Sequence, residues 1–202
     1  PGTDEPAVET LFGRLRERLE GRCTLSGGCV SFMDYHVPDG DTLLQYAESS
    51  LESAKANGKN RLSFFSPEDY EQKLKAMELR EDLQRSVAHD FSGFTVCYQV
   101  QVRSESYHVY GAEALLRYTA PLRGEIPPTE FVPVLEQTGL VYPVGLWVME
   151  RALEQCRRWR SVLPEFHVGV NMSYRQLRDA SIEQDVLELL RQSGLPGSAL
   201  TI

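Results

Sequence analysis

The stretch Tyr110-Gly111-Ala112-Glu113-Ala114-Leu115-Leu116-Arg117-Tyr118 constrains the fold more than any other part of the chain. Its apolar run predicts a strand, and side chains on a strand alternate between two faces. Ala112, Ala114, Leu116 and Tyr118 then share one side, and Gly111, Glu113, Leu115 and Arg117 share the other. A carboxylate within such a run is costly to bury unless it is paired or binds a metal. The strand alone leaves three arrangements open: an edge strand with Glu113 in water, a Glu113–Arg117 pair, or Glu113 as a metal ligand.

The surrounding pattern says what this strand packs among. Val8, Leu11, Phe12, Leu15 and Leu19 recur at helical spacing and predict an amphipathic helix over 7–20, ended at Gly21. Thr24 to Phe32 has strand character, with Gly27 and Gly28 marking a bulge or a close backbone approach. A turn at Pro38-Asp39-Gly40 leads to a helix capped by Asp41. Its buried stripe is Leu43, Leu44, Tyr46, Ala47, Leu51 and Ala54, and Asn57-Gly58 stops it. Leu62 to Phe65 is a short strand. Ser66 as N-cap and Pro67 at the first position open a long polar helix reaching about Val87. This helix, within 67–90, is a stiff linker between two domains.

From Phe94 the period changes to two: Phe94, Val96, Tyr98, Val100 and Val102 alternate with Thr95, Cys97, Gln99 and Gln101. A turn around Arg103-Ser104-Glu105-Ser106 returns the chain into the Glu113 strand. Pro127-Pro128 starts a helix that ends at Gly139, and Tyr142 to Leu163 forms a longer one. His167 to Ser173 is the third strand. Ser181-Ile182-Glu183-Gln184 reads as a capping box for a helix closing at Gly194, and Leu200-Thr201-Ile202 begins another strand. Alternating helices and strands indicate an α/β fold with parallel βα units. Gln99, Glu113 and Asn171 are the polar residues on strands whose other face is apolar.

Composition narrows the partners. A net charge of −8 argues against a protein that coats a nucleic-acid polymer. No apolar run approaches the roughly 20 residues that span a bilayer, and no signal peptide is visible. Cys23, Cys29, Cys97 and Cys156 show no metal or disulfide spacing, and read as reduced, mostly buried thiols of a cytoplasmic protein. His36, His89, His108 and His167 are scattered and read as structural or exposed. The chain begins at Pro1 and is expected to be a fragment or a processed form, with any membrane segment lying outside it.

An ordered series of motifs adds a resemblance. Tyr98-Gln99 precedes Gly111-Ala112-Glu113-Ala114-Leu115-Leu116-Arg117. Gly124-Glu125-Ile126-Pro127-Pro128, Phe131-Val132-Pro133 and Glu136-Gln137-Thr138-Gly139-Leu140 follow, then Pro143-Val144-Gly145-Leu146-Trp147-Val148 and Val170-Asn171-Met172-Ser173. This series resembles the EAL family of cyclic di-GMP phosphodiesterases. Upstream, Leu43-Leu44, Ala54-Lys55, Gly58-Lys59-Asn60 and Phe64 resemble the tail end of a GGDEF domain. The resemblance implies a tandem: residues 1–66 as the C-terminal part of a GGDEF domain, 67–90 as linker helix, and 91–202 as the N-terminal half of an EAL domain.

That resemblance implies a TIM-like (β/α) barrel with one early strand reversed, of which only the first half is present. It implies that Glu113 and Asn171 bind catalytic Mg2+ or Mn2+, and that Gln99, Leu115 and Arg117 contact cyclic di-GMP. Lys55 and Lys59 stand where GGDEF domains touch the triphosphate of GTP, with Lys59 in place of the usual Arg; the residues alone equally allow both lysines to sit in a helix's last turn. The expected activity is hydrolysis of cyclic di-GMP to linear pGpG in a homodimeric full-length protein, with this piece inactive by itself. The alternative is a degenerate receptor or scaffold that binds without hydrolysis. Two departures from the family, Val100 after Gln99 and Tyr118 after Arg117, read as packing changes.

Overall fold

A computed structural model describes residues 4–32, 35 and 39–202. His36 and Pro38 lie outside the described residues. The chain separates into two compact units, Pro1–Lys75 and Ala76–Ile202.

In the first unit, α1 (Glu5–Leu19) starts at Asp4, whose carboxylate accepts from the Ala7 amide. Its apolar stripe is only half-buried, and Leu11 and Leu15 are exposed. Strand β1 (Gly27–Cys29) is shorter than the expected 24–32 run. It pairs in parallel with β2 (Leu62–Phe64), and α2 (Gly40–Ala56) connects them. Gly28 marks a close approach: a Cβ there would lie 2.2 Å from the Ala47 carbonyl oxygen and 2.4 Å from the Leu51 nitrogen. Asp39, not Asp41, caps α2. Its extended backbone lets the carboxylate accept from Thr42 N at 2.7 Å, whereas Asp41 already sits in the first turn. Leu44 points to solvent, and Ser49, Ser50 and Ala54 are the buried positions of the helix.

Helix α3 (Pro67–Ala88) begins as expected, with Ser66 Oγ accepting from Asp69 N at 3.2 Å. The division between the units falls within it. Of its apolar stripe, Leu79 and Leu83 are buried, while Leu74 and Met77 are exposed.

The second unit is built on one mixed sheet. Strand β3 (Phe94–Val102) pairs antiparallel with β4 (Val109–Ala120). Strand β4 then pairs in parallel with β6 (His167–Val170), which pairs in parallel with β7 (Leu200–Thr201). A short strand, β5 (Gly124–Ile126), folds back on the end of β4. The Glu113 strand is therefore interior, which removes the edge-strand reading. The reversed strand is β3.

Helix α4 (Pro128–Thr138) closes on Gly139 in the left-handed conformation, at φ 77°. Helix α5 (Val141–Arg160) buries Val144, Val148, Met149, Ala152, Leu153 and Cys156. Its end at Arg160 falls short of Leu163, because the chain turns there to enter β6. Helix α7 (Ile182–Ser193) closes at Gly194 as expected, but its N-terminus corrects the sequence reading. Ser181 makes no side-chain cap, because its backbone is helical (φ −87°, ψ −15°) and a capping hydroxyl needs the extended region. The cysteines are all free, but only Cys156 is buried and Cys23 and Cys97 are exposed. Cys97 shares the polar face of β3 with Gln99, which accounts for its exposure.

The apolar face of the sheet carries Phe94, Ala112, Ala114, Tyr118, Val168 and Val170, all buried. Tyr118 is fully buried and its hydroxyl meets Ser86 Oγ at 3.0 Å, joining β4 to α3. Tyr118→Phe should leave the buried Ser86 hydroxyl without its partner and lower unfolding stability by about 1–2 kcal/mol. Urea denaturation compares the two proteins, and equal stability would mean that the pair is not formed.

Candidate active site

Register across the sheet brings the polar residues into one row. Gln99 on β3 stands opposite Glu113 on β4, and Glu113 stands opposite Gly169 on β6. Asn171 lies two residues beyond Gly169 and so returns to the same face. It does not sit in β6, which ends at Val170, but at the head of the loop that follows. There its Nδ2 donates to Glu113 Oε1 at 2.7 Å. The ion-pair reading of the strand is set aside: Arg117 donates instead to the Leu116 carbonyl at 2.9 Å.

The hydrogen bond fixes the chemistry of both partners. An ionised carboxylate only accepts, so the amide must turn its NH2 toward Glu113 and leave Oδ1 free. Glu113 keeps a second carboxylate oxygen. The site therefore offers hard oxygen donors from an acid and an amide, the type taken by Mg2+ or Mn2+ and unsuited to softer metals. Among the described residues no group of three or more His, Cys, Asp and Glu side chains is placed to hold a metal. The donors present fit a hard ion that keeps several waters and shares its shell with a phosphate.

Next to Asn171 is an open cavity of about 340 Å³, walled by the middle of β4, by α4 and α5 and by the loop that follows β6; Glu113 itself is not in its lining. Leu115, Arg117 and Asn171 line it, and Leu135, Val144 and Val148 supply its apolar wall. Arg117 is half-buried there, so its guanidinium works in a site partly shielded from water. Leu115, Arg117 and Asn171 thus share one cavity, Glu113 joins them through its hydrogen bond to Asn171, and Gln99 is adjacent to Glu113 on an exposed stretch of β3. Lys55 and Lys59 belong to the first unit. Lys55 is in the last turn of α2, while Lys59 lies past the helix end at φ 61°.

The loop holding Asn171 contains an element that the sequence reading missed. Helix α6 (Tyr174–Leu177) is a single turn opened by a true capping box. Ser173 Oγ accepts from Gln176 N at 3.4 Å, and Gln176 Oε1 accepts from Ser173 N at 3.0 Å. The signal was present: Ser173-Tyr174-Arg175-Gln176 has the same spacing as Ser181-Ile182-Glu183-Gln184.

The sequence matches the EAL domain family over residues 80–202. The chain belongs to the EAL domain family. An uncharacterized signaling protein of Caulobacter vibrioides is 33% identical over 210 residues, covering 100% of this chain and 25% of that protein. Cyclic di-GMP phosphodiesterase PdeR of Escherichia coli is 27% identical over 198 residues, covering 94% of this chain and 30% of that protein. Among solved structures, a PaMucR phosphodiesterase in complex with c-di-GMP aligns at a TM-score of 0.57 with 31% identity. That alignment covers 61% of this chain and 49% of the other. The chain therefore spans a quarter to a third of the length of these curated relatives.

The geometry of the EAL site makes a direct test of the Glu113–Asn171 bond possible. Asn171→Asp replaces the donor with a second carboxylate facing the first. In metal-free protein one member of the pair should then titrate well above the ordinary carboxylate range. NMR titration of the two carboxyl groups reads this, and two ordinary titrations would show that the side chains do not meet.

Proposed function

We propose that this EAL domain, within its full-length protein, hydrolyses cyclic di-GMP to linear pGpG as part of bacterial second-messenger signalling. The observation that carries the reading is the hydrogen bond from Asn171 to Glu113, which holds two oxygen donors beside a cavity lined by Arg117. The similarity to the cyclic di-GMP phosphodiesterase PdeR and to the PaMucR phosphodiesterase bound to c-di-GMP supports the ligand and the reaction class.

The residues divide the work. Glu113 and Asn171 Oδ1 would hold Mg2+ or Mn2+. Such an ion, when bound, supplies positive charge to the non-bridging oxygens and lowers the pKa of a water. Arg117 presents forked donors to a phosphate, a geometry that a lysine cannot copy. Leu115 presents an apolar contact at the cavity, and Gln99 adds an amide on the neighbouring strand. One water adds across one phosphodiester. Its oxygen bonds to phosphorus, the bond to the 3′ oxygen breaks, and that oxygen leaves as a hydroxyl.

We further propose that residues 1–66 are the C-terminal part of a GGDEF domain, 67–90 a linker helix and 91–202 the first half of a TIM-like barrel. The parallel β1–α2–β2 unit is consistent with that part, and Lys55 and Lys59 would face a GTP triphosphate there. The protein would act as a homodimer in the cytoplasm. Among the described residues no helix is long and apolar enough to cross a membrane.

The full-length protein incubated with cyclic di-GMP and Mg2+ or Mn2+ should yield pGpG. Glu113→Ala should abolish turnover, and unchanged turnover would refute the assignment. Binding of the dinucleotide without hydrolysis by the unmodified protein would favour a receptor instead. Arg117→Lys should raise KM on the order of tenfold, the scale of one lost charge-assisted hydrogen bond. An unchanged KM would remove Arg117 from phosphate recognition.

A further inference from the structure

Helix α5 contains a glycine in its interior. Glycine there is less favourable than alanine, so its presence asks for a packing reason. At Gly145 the reason is one side chain. A Cβ on Gly145 would lie 1.9 Å from Gln176 Nε2 and 2.9 Å from its Cδ. Gln176 is 3% exposed, the only buried amide side chain among the described residues. Its amide occupies the space at the one position where the helix has no side chain.

Gln176 in turn holds the loop. Its Oε1 accepts from Ser173 N at 3.0 Å, two residues after Asn171. Helix α6 has 4 residues and cannot sustain itself as an isolated helix. Its second tether is Arg175 Nη1, which donates to the Glu136 carbonyl of α4 at 2.7 Å. The loop that carries Asn171 is thus tied to α5 through Gln176 and to α4 through Arg175. Asn171 itself is exposed, and its single side-chain hydrogen bond to Glu113 is a weak constraint by itself.

We propose that Gly145 and Gln176 are positioning residues for Asn171: the glycine admits the glutamine, and the glutamine fixes the loop so that Asn171 Oδ1 faces the same point as the Glu113 carboxylate. This rests on the reading of Glu113 and Asn171 as a divalent-cation site. Outer groups that orient a ligand commonly change metal affinity by tenfold or more. Here the orienting group acts through the backbone of the ligand's own loop.

The test is Mn2+ binding alone, measured by electron paramagnetic resonance on the full-length protein, with thermal melting alongside. Glu113→Gln serves as reference and should lose Mn2+ binding. Gly145→Ala and Gln176→Leu should each weaken Mn2+ on the order of tenfold. Gln176→Met keeps the bulk against Gly145 but offers no acceptor to Ser173 N, and should weaken Mn2+ about as much as Gln176→Leu. If Gln176→Leu does not fold, Gly145→Ala and Ser173→Ala carry the test, with the same direction expected. Unchanged Mn2+ affinity in Gly145→Ala and Gln176→Leu, with binding lost in Glu113→Gln, would overturn the positioning role and leave the site reading intact. Mn2+ affinity kept in Gln176→Met but lost in Gln176→Leu would reduce Gln176 to a space-filler and also overturn it. Mn2+ retained by Glu113→Gln would remove the site reading itself, and the positioning role with it.

Discussion

The hydrogen bond between Asn171 and Glu113 joins two parallel strands at the point where one of them ends. It requires three conditions at once. Glu113 must sit on an interior strand, so that a neighbour exists on the correct side. Strands β4 and β6 must be parallel and in the observed register, so that Gly169 faces Glu113 and Asn171 returns to the same face. The chain must also leave β6 in a direction that keeps the Asn171 amide over the carboxylate. The first two conditions come from the sheet, and the third comes from the loop.

The sheet meets its conditions by burying the opposite face. Ala112, Ala114, Tyr118, Val168 and Val170 pack away from water, which fixes the register, since a slip of one residue would expose all of them. Small residues at 112 and 114 let the strand lie close to its helices, and Tyr118 closes the far end through Ser86. Glu113 is left on the side that the helices do not cover. It is half-buried rather than enclosed.

Much of this was legible in the sequence, and the exceptions have physical reasons. Alternation in 94–102 and 110–118 placed Gln99, Glu113, Leu115 and Arg117 on one face, because a period of two leaves no ambiguity once the apolar face is recognised. Strand ends were less legible: the Ser173-Tyr174-Arg175-Gln176 signature marks a cap after β6 but not that the strand stops at Val170. The capping signature occurs at both Ser173 and Ser181, and composition cannot choose between them. The choice depends on which serine has an extended backbone, and that is a tertiary outcome. For the same reason Asp39 caps α2 in place of Asp41. The exposed Cys97 and Leu44 were misplaced because residue type gives only an average burial, while the face on which each sits decides the matter.

The central claim is that Glu113 and Asn171 hold one divalent cation next to a cyclic dinucleotide phosphate. Diffraction at the manganese absorption edge, from crystals of the full-length protein grown with Mn2+ and cyclic di-GMP, tests it most directly. The account predicts an anomalous peak about 2.0–2.3 Å from a Glu113 carboxylate oxygen and from Asn171 Oδ1, with a phosphate oxygen of the ligand in the same shell. A manganese peak bonded to neither residue, with the dinucleotide phosphate away from Arg117, would contradict it.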